Sequence, residues 1–164
     1  LPIESVALQA LVSEPIKPCM DVVVMANTVH GYMSQSDKGE MVIGGGTDGY
    51  NNYTQRGSFH HIEETVRALI ETFPMVSRLK MLRQWGGIVD VTGDRSPILS
   101  KTPVEGMFIN CGWGTGGFKA IPGSGWAMAE LMAKGHSPLT DEFSMHRFRE
   151  GKFIDESVAA GVAH

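Results

Sequence analysis

Met107–Lys134, MFINCGWGTGGFKAIPGSGWAMAELMAK, constrains this chain more than any other stretch. A short apolar run ends in a turn holding Gly112, Gly114, Gly116 and Gly117. Lys119 follows, and then a helical segment with small residues on its early turns. Backbone this bare lets a ligand approach main-chain N–H groups, and a helix N-terminus attracts negative charge. One cation, Lys119, stands at the mouth. The combination predicts a site for a flat, electron-accepting or anionic ligand.

Gly112-x-Gly114-x-x-Gly117 formally fits the dinucleotide fingerprint, between a strand and a helix. That fingerprint also needs a second parallel strand ending in an acidic residue about 20 positions on. After Gly135 the chain reads His136-Ser137-Pro138-Leu139-Thr140, with no strand. A phosphate-cradling P-loop fails as well, because Ala120 follows Lys119 where Ser or Thr is required. A purely structural reading is that the glycines only permit tight helix–strand packing. That accounts for one or two glycines, not four with a lysine. The third reading is a helix N-terminus aimed at a cofactor ring that accumulates negative charge, such as a reduced flavin. The dipole is equivalent to roughly half a charge there.

The rest of the chain frames that unit. Gln9–Pro15 reads as a strand, closed by Glu14-Pro15 and Pro18. Asp21–Asn27, Val29–Gln35 and Glu40–Gly44 form an antiparallel meander, with Ser36–Gly39 as a turn. Gly44–Gly49 is too glycine-rich to continue a regular strand and predicts a bend packed closely on its backbone. Ser58 starts a helix with Ile62, Val66, Leu69 and Ile70 on one face, Glu63 and Glu64 in its first turns, and Pro74 at its end. Met75–Arg83 is read as a helical turn or loop leading into Gln84–Gly87, and Ile88–Thr92 as a strand. Asp94-Arg95-Ser96-Pro97 is a turn in which Asp94 bonds its own backbone. Met107–Cys111 is a buried strand, the helix after Lys119 runs to about Lys134 with Gly135 as cap, and Asp141–Phe148 is an amphipathic helix. Gly151 onwards is a tail.

Composition excludes more than it selects. The 164 residues suffice for one sizeable core. A net charge of −4 with mixed signs argues against nucleic-acid or anionic-membrane partners. No apolar run reaches the roughly 18 residues of a membrane span. Leu1–Ser5 has no signal-peptide character and no initiator Met, so the chain reads as a piece of something longer. Cys19 and Cys111 make no disulfide framework and read as free core thiols in a reducing cytoplasm. The histidines and cysteines show no metal-ligand spacing. The ten methionines are core filling, and no Ser-His-Asp arrangement has motif support.

Trp85-Gly86-Gly87 through Asp94-Arg95-Ser96-Pro97-Ile98, then Cys111–Lys119, resembles the C-terminal part of the β subunits of heterotetrameric bacterial sarcosine oxidases. The segment from Leu8-Gln9-Ala10 to Pro18 resembles them too, and the similarity covers nearly the whole chain. The Trp113–Pro122 run is specific within the wider group of FAD-dependent amine oxidases and D-amino-acid-oxidase-like enzymes.

The resemblance implies an α+β fold. An antiparallel substrate-domain sheet with a helix occupies residues 1–84. A strand–turn–helix segment of an FAD-binding, glutathione-reductase-like domain occupies 85–164. Together they make an incomplete flavoprotein fold. It implies oxidation of sarcosine, or a similar N-methyl amino acid, to glycine with hydride transfer to FAD. The methyl carbon leaves as formaldehyde or passes to tetrahydrofolate on the α subunit. It also implies a covalent FMN at the α/β interface that passes electrons to oxygen, and NAD on the α subunit. By position, Gly114, Thr115, Gly116 and Gly117 meet the flavin's pyrimidine side. Lys119 sits by the flavin and pairs with the substrate carboxylate. His30 faces substrate or FMN, and Arg83 contacts the FMN phosphate or a subunit; plain readings are a hydrogen-bonded sheet histidine and a solvated charge. Asp90, Asp94 or Arg95 lies near the flavin behind its direct contacts, and Trp113 lines the ring edge or simply packs.

The sequence also departs from the family. The fingerprint that grips the ADP half of FAD is absent, and the histidine that holds FMN in the family falls upstream of Leu1. On this reading both flavins need parts outside the chain, and the isolated chain is inactive. A related FAD amine or D-amino-acid oxidase, and a non-catalytic subunit-interaction module, are the alternatives.

Overall fold

In the computed structural model the described residues are 1–26 and 31–154. They form a mixed α+β fold whose main sheet has five strands in the order β2-β3-β4-β1-β5. These are β1 (Ile3–Pro15), β2 (Val24–Ala26), β3 (Gly31–Gln35), β4 (Glu40–Thr47) and β5 (Met81–Thr92). A two-stranded sheet pairs β6 (Ile98–Lys101) with β7 (Phe108–Cys111). The helices are α1 (Phe59–Thr72), α2 (Gly117–Lys134) and the short α3 (Arg147–Glu150). The chain divides into two compact units, one built on residues 6–88 and one on residues 1–5 with 89–154.

In the first unit the expected meander forms. β3 runs antiparallel to both β2 and β4, and β1 is antiparallel to β4. Alternation along β4 sends Met41 and Ile43 inward, where both are fully buried with Met33, Leu11, Val76 and Leu69 of α1. Ser58 caps α1, its hydroxyl accepting from His61 N at 3.4 Å, and the helix stops just before Pro74. With Phe59 as the first helical residue, Glu63 and Glu64 fall in the second turn of α1, and its first turn holds no acidic residue.

Several elements differ from the sequence expectation. β4 does not bend at Gly44 but continues to Thr47, pairing Gly44 with Tyr32 and Gly45 with Gly31. The missing side chain at Gly44 makes room for the Tyr32 ring rather than breaking the strand. The helical turn expected over Met75–Arg83 forms as a 3₁₀ turn over Pro74–Arg78, but β5 starts at Met81 rather than Ile88 and so includes Trp85-Gly86-Gly87. Non-local bonding holds that strand, as Gly86 N donates to Gln55 O at 2.8 Å. Cys19 is exposed and is not a core thiol.

In the second unit, Leu99, Ala127, Met128 and Leu131 form a small core against Phe108, Trp113 and Phe143. β7 is only half-buried and Met107 is exposed, contrary to a buried strand, because β6 is its one partner among the described residues. Asp141–Phe148 is not one helix. Turns occupy most of it and only Arg147–Glu150 is helical. Arg147 is buried while Phe143 and Phe148 are only half-buried, because its guanidinium has buried acceptors.

Candidate functional site

The glycine turn begins where β7 ends. Gly112 has φ +73° and Gly114 φ +51°, left-handed conformations that L side chains rarely adopt. A Cβ at Gly112 would lie 2.7 Å from the Thr92 methyl, so the position demands glycine on two counts. Between these glycines, Trp113 bridges to Val91 of β5, and its indole N–H donates to Asn110 Oδ1 at 2.6 Å. Gly114–Gly116 then form one 3₁₀ turn and α2 starts at Gly117. A Cβ at Gly117 would press on Trp113 Cβ at 3.2 Å, so this glycine serves local packing.

The structure brings Gly114, Thr115, Gly116, Gly117 and Lys119 together at the start of α2. Lys119 lies within the first helical turn, not ahead of the helix as expected, because the helix is already wound at Gly117. Its side chain is exposed and makes no ion pair among the described residues. No side chain caps α2, and its first turn holds no acidic residue. The leading N–H groups of a helix lack intrahelical partners and carry the positive end of the dipole. The Gly116 N–H is already used, donating to Trp113 O at 3.0 Å, so what this end of α2 offers is the positive end of the dipole, a cation and little side-chain bulk, which suits an anionic or electron-rich planar group. Pro122 sits inside the helix and cannot donate to the Phe118 carbonyl, leaving that acceptor without its intrahelical partner.

The remaining site candidates lie elsewhere. Arg83 is exposed on β5 in the unit built on residues 6–88. His30 lies outside the described residues. Asp90 is exposed and accepts from Ser5 Oγ at 2.9 Å. Burial first, and then the nearby Asp90 charge, push the Cys111 thiol up, away from the reactive thiolate. No group of three or more His, Cys, Asp or Glu among the described residues is placed to hold a metal. Two cavities, about 660 and 310 Å³, are lined by residues around Asp141 and His146 rather than by the glycine turn.

Asp94 does bond its own backbone, accepting from Ser96 N at 3.2 Å, but its main partner was not legible in the sequence. Arg147 Nε donates to Asp94 Oδ2 at 2.7 Å and Nη2 to Oδ1 at 2.9 Å. Both side chains are almost wholly buried, at 3% and 2% exposure. Burial raises the Asp94 carboxyl, but the bonds from Arg147, Ile154 N and Ser96 N with the guanidinium charge outweigh it and bring it down to about 2. The two residues lie 53 positions apart, and no local spacing signals their meeting.

Comparison with known proteins gives this geometry a context. The chain is 84% identical over 164 residues to "Sarcosine oxidase subunit beta" of Rhodobacter capsulatus, covering all of this chain and 40% of that protein. It is 53% identical to "Sarcosine oxidase subunit beta" of Arthrobacter sp, covering 41% of it. The chain therefore spans about two-fifths of the length of these curated relatives. Among solved structures, L-proline dehydrogenase from P. horikoshii superposes with a TM-score of 0.85 at 26% identity, over 93% of this chain and 42% of that one. The model of the family described as FAD dependent oxidoreductase matches residues 1–131, which includes the glycine turn and most of α2. On that match, the chain belongs to the FAD dependent oxidoreductase family.

Proposed function

We propose that this chain supplies the substrate-side sheet and one wall of the flavin site of an amine-oxidising flavoenzyme acting on sarcosine. Residues 1–84 provide the sheet and 85–164 the flavin-side segment. One observation underlies the reading: the uncapped N-terminus of α2, with Lys119 in its first turn, in a chain of an FAD-dependent family. The names of the relatives at 84% and 53% identity support sarcosine as the substrate.

FAD, when bound, supplies the acceptor for the electron pair removed from the amine. This chain's residues bind and orient. The Gly114–Gly117 turn would meet the electron-rich edge of the ring, where the helix dipole favours added negative charge. Lys119 pairs with the substrate carboxylate and so fixes the amine against the ring. A partner α subunit and a second flavin, FMN, belong to the same reading, in which Arg83 contacts the FMN phosphate or a subunit.

The test uses the full-length protein. Anaerobic sarcosine should bleach its flavin absorbance faster than glycine, proline or D-amino acids do. Lys119→Met should raise the sarcosine KM steeply or slow flavin reduction at least tenfold. Unchanged kinetics would remove Lys119 from this role.

A second reading, a non-catalytic interaction module, is favoured by the exposed apolar residues Phe118, Ile121, Trp126 and Met132 along α2. A full-length protein that never takes up FAD would support it.

A further inference from the structure

We propose that Arg147 is a positioning residue for the glycine turn: its pair with Asp94 holds the Thr92–Pro97 turn against Gly112 and thereby sets the start of α2 and Lys119. The proposal rests on the flavin reading above and names a residue that does not itself touch the ligand.

Arg147 uses all its donors. Besides the two bonds to Asp94, Nη2 donates to Ser96 O at 2.7 Å, and Nη1 to Phe143 O at 3.1 Å and Ser144 O at 3.4 Å. A planar fork with every N–H engaged defines position better than a single ammonium does. Phe143 O also accepts from Leu99 N at 3.0 Å, so the same guanidinium is tied to β6. Ile154 N adds a bond to Asp94 Oδ2 at 3.2 Å. One buried cation thus joins the turn after β5, strand β6 and the segment beyond α3.

From that turn the chain of contacts is short. The Thr92 hydroxyl lies 2.7 Å from Ser96 O and 3.1 Å from Asp94 Oδ1. On its other side, the Thr92 methyl fills the space where a side chain at Gly112 would stand. Adjacent residues repeat the registration: Val91 bridges Trp113, and Ile98 pairs with Cys111. Gly112 and Trp113 lead directly into the 3₁₀ turn and α2. An exposed ion pair would exert little control over such a path; this one is buried and fully hydrogen-bonded.

Two variants of the full-length protein test the idea. Arg147→Lys keeps the charge and loses the fork. Thr92→Ser keeps the hydroxyl and removes only the methyl against Gly112, so it leaves the ion pair intact. Amide hydrogen exchange, read by mass spectrometry, should rise at least tenfold over residues 112–119 in both variants and stay unchanged in α1. Sarcosine-driven flavin reduction should slow at least fivefold, with a shifted flavin absorbance band. Unchanged exchange over 112–119 in Thr92→Ser would overturn the proposal, whether or not Arg147→Lys folds. A wild-type protein that holds no flavin would instead overturn the flavin reading, a result that the exchange measurement does not share.

Discussion

The ring of Tyr32 occupies the space that a side chain at Gly44 would need, across the paired strands β3 and β4. The register sets Tyr32 directly opposite Gly44, so strand pairing forces the overlap. Burial also holds the Tyr32 phenol above its ordinary pKa. Gly44→Ala should therefore destabilise by about 1–3 kcal/mol, the usual range for overpacking. Thermal denaturation checks this, and Tyr32→Ala should absorb most of the loss in a double-mutant cycle. Simple additivity of the two changes would refute the contact.

The Asp94–Arg147 pair predicts an acid dependence. The carboxyl sits at about 2 in the folded chain, below its ordinary 3.8. A group with a lowered folded pKa contributes stability above its unfolded pKa and loses it as pH falls through the folded one. The contribution is thus complete above about pH 4 and lost towards pH 2, and is worth about 2 kcal/mol. Denaturant midpoints at pH 5 and pH 2.5 measure it. Asp94→Asn should flatten that slope, and a variant as pH-sensitive as the parent would contradict the assignment.

Ser58 links helix capping to a buried polar cluster. Its hydroxyl caps α1, its N–H donates to Gln9 Oε1 at 2.7 Å, and Gln9 Nε2 donates to Asp48 Oδ1 at 3.0 Å. Ser58→Ala should cost about 1 kcal/mol for the cap. Gln9→Leu should cost more, because it strands Asp48 Oδ1 and the Ser58 N–H, while Asp48 Oδ2 keeps its bond from Asn52. Equal losses in the two variants, read from urea unfolding, would show that the cluster is not coupled to the helix.

Phe118 is 90% exposed and Trp126 72%, and Ile121 and Met132 of α2 are exposed as well. Ala127, Met128 and Leu131 of the same helix pack on Leu99. Large apolar side chains left exposed beside a packed stripe seek a second partner. This 164-residue chain, purified alone, should bind a hydrophobic dye strongly or self-associate. Phe118→Ser with Trp126→Ser should reduce either signal severalfold, measured by dye fluorescence and sedimentation.

Wherever the physical cause is local, the sequence was sufficient. Ser58, the apolar spacing of Ile62, Val66, Leu69 and Ile70, and Pro74 specify α1 and both its ends. Gly135 in the left-handed region closes α2, and the turn at Ser36–Gly39 joins two strands of the meander. The glycine turn before a helix, with Lys119 at its start, was likewise legible, because positive φ and helix initiation are properties of a few adjacent residues.

Tertiary structure alone decided the rest. Trp85-Gly86-Gly87 became strand because β5 pairs with β1 in the main sheet, a partner from far along the chain. Gly44 stayed in β4 with Tyr32 filling its gap, and Gly45 through its pairing with Gly31, while their own low strand propensity gave no hint of it. Arg147 went inside, against every expectation for its type, because Asp94, Ser96 and Phe143 present acceptors that meet only once the chain is folded. Propensity, caps and turns act over a few residues and can be read from the chain. A buried charge depends on partners brought from 53 residues away, and only the fold supplies them.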